Sequence, residues 1–207
     1  MLIIASGPSG AGKGAILKKL CEQDPKLRVA TSWTTRERGP SETHQVDYHF
    51  ASLESFAKER LLGRFLESAE VHGNWYGTHR EDVNRLMGQG YDVILEIDCQ
   101  GARQIRSRGE ASSSIFILPP SYEALETRLT ARRREKSEAD IRRRLENARH
   151  EVRQASLFTF WLENQVIDET VRRVQEIIAA CRRGVLPDPF ERYRDPVALG
   201  RIQATFA

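Results

Sequence analysis

Apolar residues first gather in a short run, Leu2 to Ala5, which Gly7-Pro8 brings to an end. After Lys13 they recur as Ile16, Leu17 and Leu20, the spacing of one buried helical face. The switch predicts a buried strand, a glycine-rich turn and a helix. Asp92-Val93-Ile94-Leu95-Glu96-Ile97 and Ser114-Ile115-Phe116-Ile117-Leu118 have the length and β-branched content of central parallel strands, and Phe158 to Leu162 is a further candidate. Pro119-Pro120 stops the run that precedes it, and Ser121 stands where it can cap a helix starting at Tyr122-Glu123-Ala124-Leu125. Ile167, Val171, Val174, Ile178 and Cys181 mark a late helix that Gly184 ends. Strands alternating with helices predict an α/β core around a parallel sheet.

Between Arg28 and Gly77 this rhythm breaks. Short β-like pieces (Val29 to Trp33, Val46 to Phe50, Phe65 to Val71) alternate with turn residues and one helical stretch around Leu53 to Leu62. The pattern predicts a small mixed insertion lying over the sheet. From Val185 to Ala207, three prolines and scattered charges predict a peripheral extension.

Composition narrows the class. With 207 residues, 40% hydrophobic and 29% charged, the chain has enough material for one sizeable domain with a buried core. No apolar run approaches the roughly 20 residues of a membrane helix, and no basic leader precedes the first strand, so the expected location is the cytoplasm. Cys21, Cys99 and Cys181 lie far apart, without C-x-x-C spacing, and predict neither a disulfide framework nor a metal site. A net charge of +3 by itself leaves nucleic acid or an acidic metabolite open. Its distribution is more telling: residues 126 to 153 hold ten of the 32 lysines and arginines, so the basicity belongs to one segment.

Gly7-Pro8-Ser9-Gly10-Ala11-Gly12-Lys13 fits G-x-x-x-x-G-K between a predicted strand and a predicted helix. Glycines there let backbone N–H groups turn inward around phosphate oxygens, the helix directs its positive end at them, and Lys13 can reach the β and γ phosphates. The loop predicts a nucleoside triphosphate; a glycine-rich turn with a solvated lysine is the plainer alternative. The position after the lysine, where the motif carries a Ser or Thr for Mg²⁺, is Gly14.

Further blocks follow in order: Ser32, Thr34-Thr35-Arg36, Asp47-Tyr48, Glu67, Gly73-Asn74-Trp75-Tyr76-Gly77-Thr78, Glu96-Ile97-Asp98-x-Gln100-Gly101, Ile115-Phe116-Ile117-Leu118-Pro119-Pro120-Ser121 and Asn164. With the phosphate loop, and over about Ile3 to Cys181, the chain resembles the guanylate kinase family. The resemblance implies a P-loop NTPase-type three-layer core with a parallel sheet. A mixed monophosphate-binding insertion at about 33–80 and an Arg-rich lid at about 126–145 complete a domain over 1–184, and 185–207 form a C-terminal extension. It implies transfer of the γ-phosphoryl group of ATP to GMP, and to dGMP, with Mg²⁺, in purine nucleotide metabolism. No nucleic-acid or membrane partner is implied.

By the same resemblance Gly7, Pro8, Ser9, Gly10, Ala11, Gly12, Lys13, Gly14 and Asn164 hold ATP. Glu67 takes the donor edge of guanine, with hydroxyls from Ser32 and Thr78, while Arg36, Tyr48 and Tyr76 hold the GMP phosphate. Asp98 stands between acceptor and donor, and Lys13, Arg132 and Arg144 neutralise the migrating charge. No side chain is assigned as a metal ligand. Two departures bear on this. The family's second phosphate-binding arginine is replaced by Gly39, with Arg38 one place earlier and expected to reach the GMP phosphate in its stead, and Arg133 stands where a lid glycine is usual. Together with Gly14 they support a competing class, a guanylate-kinase-like nucleotide- or protein-binding module that has lost catalysis. Lys13, Asp98 and the base-reading set support the kinase.

Overall fold

The computed structural model describes residues 1–110, 113–131, 137–186 and 190–207. Its first strand, β1 (Leu2–Ser6), is buried along its whole length because it lies in the middle of a sheet covered on both faces. The chain continues through α1 (Lys13–Gln23), β2 (Leu27–Val29), β3 (Trp33–Thr34), β4 (His49–Phe50), α2 (Leu53–Leu61), β5 (Phe65–Val71) and β6 (Asn74–His79). Then come α3 (Arg80–Gly88), β7 (Asp92–Glu96), α4 (Cys99–Ser107), β8 (Ser113–Leu118), α5 (Tyr122–Ala131), α6 (Glu138–Arg153), β9 (Phe160–Glu163), α7 (Ile167–Arg182) and α8 (Pro196–Ala204).

Five parallel strands form the central sheet in the order β2-β7-β1-β8-β9. Alternate residues of β1 feed two cores. Ile3 and Ala5 join Ile16, Leu17 and Leu20 of α1 and Val171, Val174 and Ile178 of α7 on one face. Leu2 and Ile4 join residues of α3, α4, α5, α6 and α8 on the other. The result is the expected three-layer α/β core. β4-β3-β6-β5 form a second, mixed sheet in the insertion. As expected, Ser121 opens α5, its hydroxyl accepting the Ala124 N–H at 3.2 Å.

Several boundaries differ from the sequence reading. The piece expected at Val29 to Trp33 is two strands: Leu27–Val29 is an edge strand of the central sheet, and the insertion begins after Ala30. Three residues are too few to carry a readable period. Within the stretch Val46 to Phe50 only His49–Phe50 form a strand, with Tyr48 in an isolated bridge to His44, because Gln45 takes φ +66° and Val46 is 70% exposed in a turn closed by Asp47. The last strand begins at Phe160 after a short 3₁₀ turn, Ala155–Leu157.

The tail is not peripheral. Asp195 caps α8 through the N–H groups of Val197 and Ala198, Pro196 occupies the first turn, and Leu199, Ile202 and Phe206 are buried. Among the described residues no helix is long and apolar enough to cross a membrane. None of the three cysteines is bridged.

Candidate active site

The phosphate loop leaves β1 at the carboxyl edge of the sheet and enters α1 through Gly12 in a left-handed conformation, φ +99°. Close approach explains two of its glycines: a Cβ on Gly7 would stand 2.2 Å from the Ile117 carbonyl oxygen, and one on Gly12 would stand 2.3 Å from Asn164 Nδ2. Lys13 Nζ folds back on the carbonyls of Gly7 and Pro8, at 2.5 and 3.2 Å. The loop rests on a buried polar bracket. Asn164 Nδ2 donates to the Ala11 carbonyl at 2.7 Å, and its Oδ1 accepts the Thr170 hydroxyl at 3.1 Å. Arg128 on α5 donates to the carbonyls of Asn164 and Ala11. Asn164, expected to hold ATP, thus lies beneath the loop and supports its backbone.

In front of the loop opens a cavity of about 670 Å³ between the core and the insertion. Gly7, Ser9, Lys13, Ser32, Arg36, Tyr48, Glu67, Tyr76, Asp98 and Arg144, all singled out from the sequence, share its wall. Gly39 is on the wall too, whereas Arg38 is exposed and is not part of it. Arg132, with Arg133 and Arg134, lies outside the described residues. Arg144, on α6, reaches across to the loop and donates to the Ser9 hydroxyl at 2.6 Å.

Glu67 is the buried acid of the site, 4% exposed. Its Oε1 accepts the hydroxyl of Thr78 at 2.7 Å, which puts Thr78 behind the carboxylate on the neighbouring strand. Burial pushes the Glu67 carboxyl up to about 7, and the charge of Asp98 adds to the rise. Asp98 caps α4: Oδ1 accepts the Gly101 N–H at 2.8 Å, and Oδ2 accepts from Gln100 at 3.0 Å.

Arg36 presents a fork. Its two terminal nitrogens donate to the two carboxylate oxygens of Glu42 at 3.0 and 2.7 Å, a bond that raises the arginine above its usual range. The same carboxylate accepts the Gly39 N–H at 2.7 Å. The guanidinium lies 5.4 Å from the centre of the Tyr48 ring, and Tyr48 meets Tyr76 edge-on. Burial pushes the Tyr48 phenol up to about 12, with Glu96 contributing. Two tyrosine hydroxyls beside an arginine fork form a set of donors for a doubly charged oxyanion.

Sequence reasoning missed three contributors, Glu42, Glu151 and Thr170, and placed Arg128 only among the arginines of the lid region. Glu151 lines the cavity from α6, and its carboxyl is pushed up to about 7 by burial, opposed by Lys13 and reinforced by Asp98. It stands two helical turns after Arg144 and so shares its face, a spacing that was available in the sequence.

The arrangement joins a triphosphate loop to an oxyanion fork and a buried carboxylate across one cavity. The sequence profile of the guanylate kinase family matches residues 1–181. The chain is 43% identical over 182 residues to the guanylate kinase of Thiobacillus denitrificans, covering 88% of this chain and 85% of that one. It is 44% identical over 181 residues to the guanylate kinase of Neisseria gonorrhoeae, covering 87% and 88%. The crystal structure of guanylate kinase from Anaplasma phagocytophilum superposes with a TM-score of 0.70 at 31% identity, covering 88% of each chain.

Proposed function

The chain belongs to the guanylate kinase family and transfers the γ-phosphoryl group of ATP to GMP, and from that premise we propose a role for each side chain of the site. Glu67 takes the N1 and N2 donors of guanine, braced by Thr78, with Ser32 as a further hydroxyl on the wall. Arg36, Tyr48 and Tyr76 bind the GMP phosphate; to do so Arg36 exchanges the carboxylate of Glu42 for phosphate oxygens. Because these groups address base and phosphate, dGMP is a second acceptor.

A GMP phosphate oxygen attacks the γ-phosphorus in line, the bond to the β–γ bridging oxygen breaks, and ADP departs. The attacking oxygen is already anionic at neutral pH, so no side-chain base is needed. The work left to the protein is alignment and charge. Lys13 and Arg144, with Arg132 from the lid, neutralise the migrating phosphoryl group, and Asp98 separates the two nucleotide sites. Closure of lid and insertion keeps water from the γ-phosphate.

The residues present fit a Mg²⁺ that arrives with the nucleotide. Among the described residues no cluster of His, Cys, Asp and Glu could cage a metal, and Gly14 supplies no hydroxyl. When bound, the ion would offset the negative charge of the triphosphate that the phosphate loop and Lys13 hold. ATP chemistry and three unbridged cysteines support a cytoplasmic location.

The observation that carries this reading is the buried Glu67 carboxylate facing the same cavity as the phosphate loop. A coupled ADP-release assay with ATP, Mg²⁺ and each of GMP, dGMP, AMP, UMP and CMP tests it. Turnover is expected with GMP and dGMP alone; GMP binding without turnover would instead mark a binding module.

A further inference from the structure

The stretch matched by the family profile ends at 181, yet α8 lies beyond it and is packed into the core. Its contacts fall on both roots of the lid arm, which α5 and α6 form together. At the start of α5 the Thr205 hydroxyl accepts the Tyr122 N–H at 3.0 Å, a first-turn donor with no partner inside the helix. The Phe206 ring meets Tyr122 edge-on, centroids 5.4 Å apart. At the end of α6 the Gln203 amide donates to the Val152 carbonyl at 3.0 Å, one of the last-turn acceptors. The Thr205 hydroxyl donates in turn to the Ile202 carbonyl at 2.7 Å, which fixes its direction.

The N-cap and the last turn of α8 are also tied to the edge of the sheet. Trp161 Nε1 donates to the Asp195 carbonyl at 3.0 Å, and Arg201 pairs with Glu163 at 2.6 Å; both partners belong to β9. Leu199, Ile202 and Phe206 bury the intervening face in the cluster that holds Leu125, Leu129, Leu145 and Val152. One short helix therefore links the sheet to the start of α5 and the end of α6, the two helices that carry Arg128 and Arg144.

Leverage gives these contacts consequence. Arg144, which reaches Ser9 of the phosphate loop, precedes Val152 by about two turns of α6, or about 12 Å along the axis. A tilt of about 5° at the root would shift Arg144 by about 1 Å, and a displacement of that size costs about a hundredfold in rate where alignment does the catalysis. Arg128, which braces the loop from α5, stands on the other arm.

We propose that α8 is a clamp on the hinge of the lid, with Gln203 and Thr205 as positioning residues that act through α6 and α5 on Arg144 and Arg128. The proposal rests on the phosphoryl-transfer reading above.

The test uses the full-length chain with Gln203→Met and Thr205→Val, singly and together, which remove the side-chain hydrogen bonds to Val152, Tyr122 and Ile202 at similar volume. In the double variant kcat should fall about tenfold while KM for GMP stays within about twofold, and Thr205→Ser should restore the rate that Thr205→Val loses. Hydrogen exchange should quicken in the first turn of α5 and the last turn of α6 and stay unchanged in α1. An unchanged kcat below the melting transition, or a fall in kcat matched by a rise in KM for GMP, overturns the clamp. Should the double variant fail to fold, Thr205→Val alone decides by the same split. A wild-type chain that does not turn over GMP would refute the phosphoryl-transfer reading, whereas an active wild type with indifferent variants would refute the clamp alone.

Discussion

The Oε2 of Glu67 lies over Gly101 of α4, so near that a Cβ at that position would stand 2.4 Å from it. The Gly101 N–H is the one capped by Asp98, so a single residue seats both acids of the acceptor site. In Gly101→Ala the atom displaced is the end of a flexible side chain, so the fold should yield at small cost while the carboxylate leaves the Thr78 hydroxyl. A charge-assisted bond to guanine, worth about 1.5 to 3 kcal/mol, is then lost. KM for GMP should rise by about tenfold or more, with KM for ATP unchanged, when each substrate is varied in turn.

Glu67 also makes base reading depend on pH. A carboxyl pushed up to about 7 is largely protonated at pH 6, and a protonated acid cannot accept both guanine donors. KM for GMP should fall as pH rises from 6 to 8, and by more than in Glu67→Gln, which retains the titration of the GMP phosphate and of Glu151. Stability runs the other way. The folded chain favours the protonated acid, so its contribution is intact below the unfolded value of 4.5 and is lost as pH rises through about 7. That loss amounts to about 3 kcal/mol, so Glu67→Gln should be the more stable protein at pH 8, and the gap should close toward pH 5 in urea unfolding curves.

Asn164 bonds to the Ala11 carbonyl and the Thr170 hydroxyl while 1% exposed. Asn164→Ala leaves the Ala11 carbonyl with only the 3.5 Å bond from Arg128, at a cost of about 1 kcal/mol, and lets the phosphate loop relax. KM for ATP should rise, with KM for GMP little changed. A rise in both would mean that the bracket supports the whole cavity and not the loop alone.

What the sequence made legible follows from where information is local. β1, β7 and β8 are buried on both faces and appear as unbroken apolar runs, and the phosphate loop is seven consecutive residues whose spacing is its chemistry. Arg36, Tyr48, Glu67, Tyr76 and Asp98 were found through ordered blocks, and one cavity wall gathers them. Glu42 escaped because its meaning lies in a pairing across a loop, and Glu151 because a helix rich in charges conceals one acid that faces inward. α8 was hidden by its surroundings: prolines and charges dilute three apolar residues whose burial depends on β9, α5 and α6. Asn164 was found, but the side from which it serves the loop is a property of packing.

Under the proposed site roles, Gly39 is the departure that bears on acceptor affinity. Its N–H is held by Glu42, it forms part of the cavity wall, and Arg38 does not take the place of the family's second arginine there. The backbone at Gly39 is outside the left-handed region, and a Cβ would meet the Glu42 side chain, its Oε2 at 3.0 Å, so a side chain can be added once that carboxylate gives by a few tenths of an ångström. In Gly39→Arg the new guanidinium competes for Glu42 in the free enzyme, which leaves the fork of Arg36 available, and adds a second donor set for the phosphate in the complex. One further charge-assisted contact should lower KM for GMP by about tenfold with kcat unchanged. Gly39→Met, of similar reach and no charge, should leave KM where it was. If the methionine variant lowers KM equally, the gain is packing and the phosphate site was not short of charge.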